Sequence, residues 1–300
     1  MTSERSAAAA AGTWQLGDLT VNRLGFGAMR LPQTGRAFGT DAVPGDRDRA
    51  VAVLRQAIEL GVNHIDTAAF YFSSLRSANE LINTALAPYP KELVIVTKVG
   101  PGRDPAGGWI DAARPDQLRG QVEENLRQLG RDHLDVVNYR RQQSVSSISE
   151  HVGALAQLRD AGLIRHLGIS GVEVEHLAEA QAIAPVVCVQ NSYSLANRSS
   201  EPVLRACAEQ DIAFVPFFAI AGQGRHLGPP ESDSDQLGQI AGAHGATEAQ
   251  IRLAWTLHQG QHVLAIPGTG DPAHLEQNVA AAAIRLSRDE LAVLNSLQPV

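Results

Sequence analysis

Cysteine is scarce in this chain. It has two among 300 residues, Cys188 and Cys207, too few for a disulfide framework and not spaced as a CxxC pair. Both read as small buried hydrophobes. No apolar run approaches the roughly 20 residues that a membrane span needs. The opening MTSERSAAAAAGTW, with one arginine before five alanines, is too weak for a signal peptide, so a cytoplasmic protein free of the membrane is expected. Positive charge is also in deficit. There are 25 Lys and Arg against 32 Asp and Glu, a net charge of −7, which argues against nucleic acid as the main partner. The ten histidines include no HExxH or comparable ligand spacing, so no metal is expected. No GxSxG marks a hydrolase elbow. What remains is ordinary globular material, 44% apolar and 19% charged. A chain of this length buries about three quarters of its unfolded surface, enough for one large core.

Short β-branched runs recur at Val21–Phe26, Val62–Asp66, Leu93–Lys98, Leu134–Asn138, Ile164–Ile169, Val186–Gln190, Ile212–Phe217 and Val263–Ile266. They are apolar without clean alternation, as in strands covered on both faces. Between them, Val51, Leu54 and Ile58 share one helical face, as do Val122, Leu126 and Leu129, and Val152, Leu155 and Leu158. Helices over 50–60, 115–129 and 150–161 stop at Gly61, Gly130 and Gly162. Eight strands alternating with helices fit an α/β fold, a single (β/α)8 TIM barrel. An open Rossmann sheet would carry GxGxxG after its first strand, whereas Gly25-Phe26-Gly27-Ala28-Met29-Arg30 lacks the third glycine. The expected organisation is a loose N-terminus over 1–12 and one barrel domain over 13–300. Long polar connections at 31–46, 99–114 and 221–235 follow strands 1, 3 and 7, so they should shape the mouth of the site.

In a barrel the chemistry sits where strands end at the C-terminal face. Strand 2 leads to Asp66 and Tyr71, strand 3 to Lys98 and strand 4 to Arg140, which would bring the four together. A lysine ammonium beside a tyrosine favours the phenolate and makes the phenol a more usable acid, while an aspartate holds the lysine. Arg140 either enters this group or sits at the rim, with Asn138 or Tyr139 turned inward. Met29, Arg30, Phe70, Phe72, Trp109 and Arg141 are candidate pocket walls.

These residues resemble the aldo-keto reductases. The likeness rests on Leu24-Gly25-Phe26-Gly27-Ala28-Met29-Arg30, Asp66-Thr67-Ala68-x-x-Tyr71, Val-Thr-Lys98, Gly168-Ile169-Ser170, Val189-Gln190-Asn191-x-Tyr193 and Ile266-Pro267-Gly268-Thr269, in that order over roughly 14–298. The resemblance implies an NADP(H)-dependent carbonyl reductase acting on a small-molecule carbonyl substrate. Tyr71 would be the general acid, Lys98 its modulator and Asp66 the partner of Lys98. Gly27, Ala28, Met29 and Asp66 would border the cofactor, Ser170 and Gln190 would hold the nicotinamide amide, and Phe217 would stack on its ring. Thr269 and His274 would meet the 2′-phosphate beside Gly268 and Gly270, and Gln277 and Asn278 the adenine. The helix after Pro272 would offer free amides to a phosphate.

Four positions depart from the family pattern. Gly171 stands where an Asn usually follows the serine, Arg140 where a His is usual, and Gly268 and His274 where a Lys and an Arg are usual. The segment Leu134–Arg140 resembles a bacterial branch that includes pyridoxal reductases. The oligomeric state is open, with a monomer expected. A barrel aldolase or lyase using Lys98 as a Schiff-base nucleophile is a competing reading, as is a cofactor-binding regulatory subunit with little turnover.

Overall fold

The computed structural model describes residues 7–35, 38, 42–104, 106–220 and 235–297. Seven parallel strands form one curled sheet: β1 (Phe26–Gly27), β2 (His64–Asp66), β3 (Val94–Val99), β4 (Leu134–Arg140), β5 (Ile164–Ser170), β6 (Val186–Gln190) and β7 (Ala213–Phe214), each paired with the next in chain order. The eighth predicted strand, 263–266, closes the ring through single bridges, Val263 to Phe214 and Ala265 to Leu24. Leu264 N donates to Phe214 O at 2.9 Å on one side, and Ala265 N to Arg23 O at 2.9 Å on the other. The architecture is the (β/α)8 barrel.

The helices are α1 (Arg47–Glu59), α2 (Ala78–Leu86), α3 (Leu118–Leu129), α4 (Ser149–Asp160), α5 (Val174–Gln181), α6 (Glu201–Glu209), α7 (Asp235–Ala243), α8 (Glu248–His258), α9 (Pro272–Ala280) and α10 (Arg288–Ser296). The predicted glycine stops hold. Gly130 caps α3 in the left-handed region at φ 62°, where a Cβ would lie 2.9 Å from the Asn83 amide.

Three expectations are corrected. Val21 belongs to an antiparallel hairpin, Thr13–Leu16 with Leu19–Asn22, and the barrel strand begins only near Leu24. Leu16 and Val21 are buried with Val94, Val96 and Val136, so the hairpin plugs the N-terminal mouth of the barrel. An apolar strand residue looks the same in a plug as in a barrel wall. The seventh predicted strand contracts to Ala213–Phe214, although Val215 N still donates to Val189 O at 2.8 Å. Residues Ala7–Ala11 are not loose but form a 3-10 turn, with Ala8 fully buried and its N–H bonded to Leu60 O at 3.0 Å. Alanine is small enough to let that turn pack flush.

The two-residue period of a strand decides what faces the barrel axis. Val94, Val96, Val136, Cys188, Ala213, Val215 and Leu264 fill the interior. One step further along the same faces lie Lys98, Asn138, Gln190, Phe217 and Ile266, and Arg140 lies one step beyond Asn138. His64 lies below Asp66 on β2, and burial drives its pKa down to about 4. Burial also raises the Cys188 and Cys207 thiols to about 12, as befits inert packing groups. Among the described residues no helix is long and apolar enough to cross a membrane.

Candidate active site

A cavity of about 950 Å³ opens at the C-terminal ends of the strands. At its inner end Lys98 Nζ donates to Asp66 Oδ1 at 2.5 Å and to Thr67 O at 3.0 Å. Gln190 Nε2 donates to the other Asp66 oxygen at 2.8 Å. Lys98 Nζ also lies 4.9 Å from the centre of the Tyr71 ring, so its charge acts on the phenol. Asp66, Lys98 and Gln190 are at most 5% exposed and Tyr71 8%. The sequence predicted this association of strand ends, and the closed barrel produces it.

The electrostatics differ from the expectation in one respect. Burial raises the Tyr71 phenol above its ordinary value, and although Lys98 and Arg140 pull it down, they do not reverse the rise. Tyr71 is therefore a well-protonated acid, with Lys98 limiting the cost of losing the proton. For Lys98, burial alone would favour the neutral amine, but Asp66 and Tyr71 outweigh it and hold the ammonium. A Schiff-base nucleophile must be a free amine, so this lysine is poorly disposed to that chemistry.

Arg140 points inward, with Asn138 on the same face below it. Tyr139 points outward and stacks on His151 at 4.6 Å between ring centres. The Arg140 guanidinium lies 4.8 Å from the centre of the Phe217 ring and donates to Ser170 Oγ at 3.3 Å. The departures at Gly171 and Arg140 are one structural event. A Cβ on Gly171 would lie 2.5 Å from Arg140 Nη1, and Gly171 has φ +69°. The guanidinium occupies space that a side chain at 171 would take.

Gln190 and Ser170 were predicted to hold the nicotinamide amide. In the structure Gln190 Nε2 serves Asp66 and Ser170 Oγ serves Arg140. Each residue still borders the cavity. Ala28 does not border it and is fully buried, whereas Gly27 and Met29 line it.

At the outer end, backbone lies on backbone. A Cβ on Gly268 would fall 2.2 Å from Gly27 O, and one on Gly27 would fall 2.7 Å from Ile266 O. The lysine usual at position 268 cannot be accommodated here without moving the first strand. Thr269, Gly270, His274, Gln277 and Asn278 line this end as predicted. The expected free amides of α9 are in part absent. Asp271 caps the helix, accepting from Ala273 N at 2.8 Å and His274 N at 3.3 Å. Its other oxygen pairs with Arg49 of α1. Sequence reasoning missed Arg49, because an arginine in a first helical turn looks like any solvated one.

The walls near Tyr71 are aromatic. Phe38, at 5.7 Å, and Phe70, at 5.1 Å, flank its ring, and Trp109 packs on both. Phe38 was also missed. Met29, Arg30, Phe70 and Trp109 line the cavity as predicted. Phe72 and Arg141 do not. Phe72 lies under the guanidinium of Arg103, which donates to its carbonyl at 2.7 Å, and Arg141 donates to Gly171 O and Val145 O. Arg103 thereby ties the loop after β3 to the loop after β2. Of the three loops expected at the mouth, 31–46 and 99–114 contribute. Residues 36–37, 39–41, 105 and 221–234 lie outside the described residues.

The family model for the aldo/keto reductase family matches residues 23–299. Pyridoxine 4-dehydrogenase of Escherichia coli (strain K12) is 42% identical over 291 residues, covering 95% of this chain and 98% of that protein. Among solved structures, a thermostable aldo-keto reductase in complex with the inhibitor epalrestat aligns with TM-score 0.79 at 30% identity, covering 95% of this chain and 99% of that one. An aldo/keto reductase from Klebsiella pneumoniae, in complex with NADP and acetate, aligns with TM-score 0.75 at 30% identity, covering 93% and 92%. With its strand-end Asp66, Lys98 and Tyr71 in one barrel-mouth cavity, the chain belongs to the aldo/keto reductase family.

Proposed function

We propose that this protein reduces an aldehyde or ketone to the alcohol with NADPH, and that a pyridoxal-like aldehyde is among its substrates. The observation that carries the reading is the chain of contacts Gln190–Asp66–Lys98–Tyr71 at the inner end of a cavity that runs out to Thr269, Gln277 and Asn278. At about 950 Å³, and lined over that whole span, the cavity has room for an extended dinucleotide. Phe217, Gln190 and Ser170 would border its nicotinamide, and Thr269, Arg49 and His274 its 2′-phosphate, with Gln277 and Asn278 at the adenine. When bound, the cofactor supplies a hydride to the carbonyl carbon.

The remaining work belongs to the chain. Tyr71 donates its proton to the carbonyl oxygen, a role worth about 10²- to 10⁴-fold in rate. Lys98 stays an ammonium because Asp66 accepts from it, and its charge stabilises the phenolate that Tyr71 becomes. Gln190 fixes the second carboxylate oxygen, so Asp66 cannot swing away from Lys98. Arg140 supplies a permanent cation at the oxygen end. Phe38, Phe70 and Trp109 offer flat apolar faces to a ring-bearing substrate. The similarity to a relative named for pyridoxine oxidation supports the substrate proposal.

The test is NADPH consumption over an aldehyde panel that includes pyridoxal, with the alcohol product identified. Turnover with at least one aromatic aldehyde is expected, and borohydride should trap no adduct on Lys98. Cofactor binding without oxidation by any aldehyde or ketone would overturn the reading.

A further inference from the structure

The charges at the inner end do not balance. Asp66 is fully engaged with Lys98 and Gln190, which makes that pair neutral. Arg140 is then an additional cation. It is partly buried, Arg141 opposes its charge, and no ion pair with a carboxylate forms among the described residues. Of its five N–H donors, one is used on Ser170. The Phe217 face and the Gly171 notch hold the guanidinium in place, so it is a rigid fork rather than a flexible arm. A desolvated cation without a counter-ion is unfavourable, and a ligand anion at that point would relieve it. The aromatic faces of Phe70, Phe38 and Trp109 stand at the same end of the cavity and favour a planar ring.

We propose that Arg140 is a specificity-determining anion receptor, and that the preferred substrates are aromatic aldehydes carrying an ionised hydroxyl on the ring carbon next to the aldehyde. The proposal rests on the carbonyl-reductase reading of the same site. In such a molecule the carbonyl oxygen and the phenolate oxygen lie side by side, matching the two parallel donors of a guanidinium. Tyr71 protonates the carbonyl oxygen as the hydride arrives, and the phenolate is a spectator that keeps its charge. A cation with a permanent charge suits this task better than a histidine, whose charge varies around neutral pH.

The experiment compares salicylaldehyde, 2-methoxybenzaldehyde and benzaldehyde as substrates of wild type, Arg140→Gln, Arg140→Lys and Gly171→Asn. The last variant pushes the guanidinium aside without removing it, and asparagine tolerates a positive φ. Wild type should favour salicylaldehyde over the methyl ether by roughly 10- to 100-fold in kcat/KM, the range of a charge-assisted contact. Arg140→Gln and Gly171→Asn should collapse that ratio, and Arg140→Lys should keep part of it. A second readout needs no turnover. At a pH below the free aldehyde's own hydroxyl pKa, wild type with NADP+ should convert bound salicylaldehyde to the phenolate spectrum, and Arg140→Gln should not. Equal use of the hydroxyl and methoxy compounds by wild type, or a phenolate band that survives Arg140→Gln, would overturn the Arg140 assignment while leaving carbonyl reduction intact. If no aldehyde is reduced, the broader reading fails, and the bound spectrum alone then decides whether Arg140 receives an anion.

Discussion

The two ends of the cavity are built on different principles. At the Tyr71 end, Asp66, Lys98 and Gln190 are each nearly inaccessible and bound to one another, on strands that cannot shift independently. At the Asn278 end the ion pair of Arg49 with Asp271 joins side chains that are 53% and 36% exposed. Coulomb attraction between the inner charges acts with little water between them, whereas that of the outer pair is screened. The inner end should thus control chemistry and stability, and the outer end should adjust affinity modestly.

The sharpest way to break this comparison is Tyr71→Phe. Turnover should fall by about 10²- to 10⁴-fold while NADPH affinity, followed by fluorescence titration, stays within about twofold. Near-normal turnover would remove Tyr71 from the proton step. Lys98→Met comes next. It leaves Asp66 buried without its cation and should cost about 3 kcal/mol in urea unfolding at neutral pH, with Asp66→Asn added to it recovering part. An unchanged unfolding midpoint would show that the inner pair adds nothing to stability.

Arg140→Leu should lower kcat by a factor equivalent to about 2–4 kcal/mol of transition-state stabilisation. Its pH profile carries further information. The raised Tyr71 pKa places the loss of the acid above the usual phenol value of about 10, so reduction should stay level through neutral pH and decline only beyond it. Because Arg140 pulls that pKa down, its removal should move the decline to still higher pH. A decline near pH 7 in wild type would assign the proton to another group. The smallest effect is expected at the outer end. Arg49→Gln should weaken NADPH by up to about fivefold and leave NADH unchanged, and the difference should shrink in 1 M salt. Equal weakening of both cofactors would make Arg49 a structural residue.

The inner end was the more legible for the same reason that it is the more rigid. Asp66, Lys98 and Arg140 close predictable apolar strands, so finding the strands located the residues to within the parity of one position. That parity separated an inward Arg140 from an inward Tyr139, and only the pairing of β4 with β3 and β5 decided it. Phe38 and Arg49 were not legible, because both come from connections or helix starts whose direction depends on how distant segments pack. The helix cap of Asp271 is local, two residues before the first amide it binds, and could have been read from Asp271-Pro272.

The order of strands and helices, the glycine stops and the buried cysteines follow from the sequence alone, since each depends on the spacing of residues close along the chain. Tertiary structure decided the rest. It turned an apparent first strand into a plug and joined the Gly171 and Arg140 departures into one packing solution. It also set Gly268 against the Gly27 carbonyl, where a lysine has no room. These outcomes depend on distances between residues far apart in the chain, and a linear pattern does not contain such distances until the barrel closes.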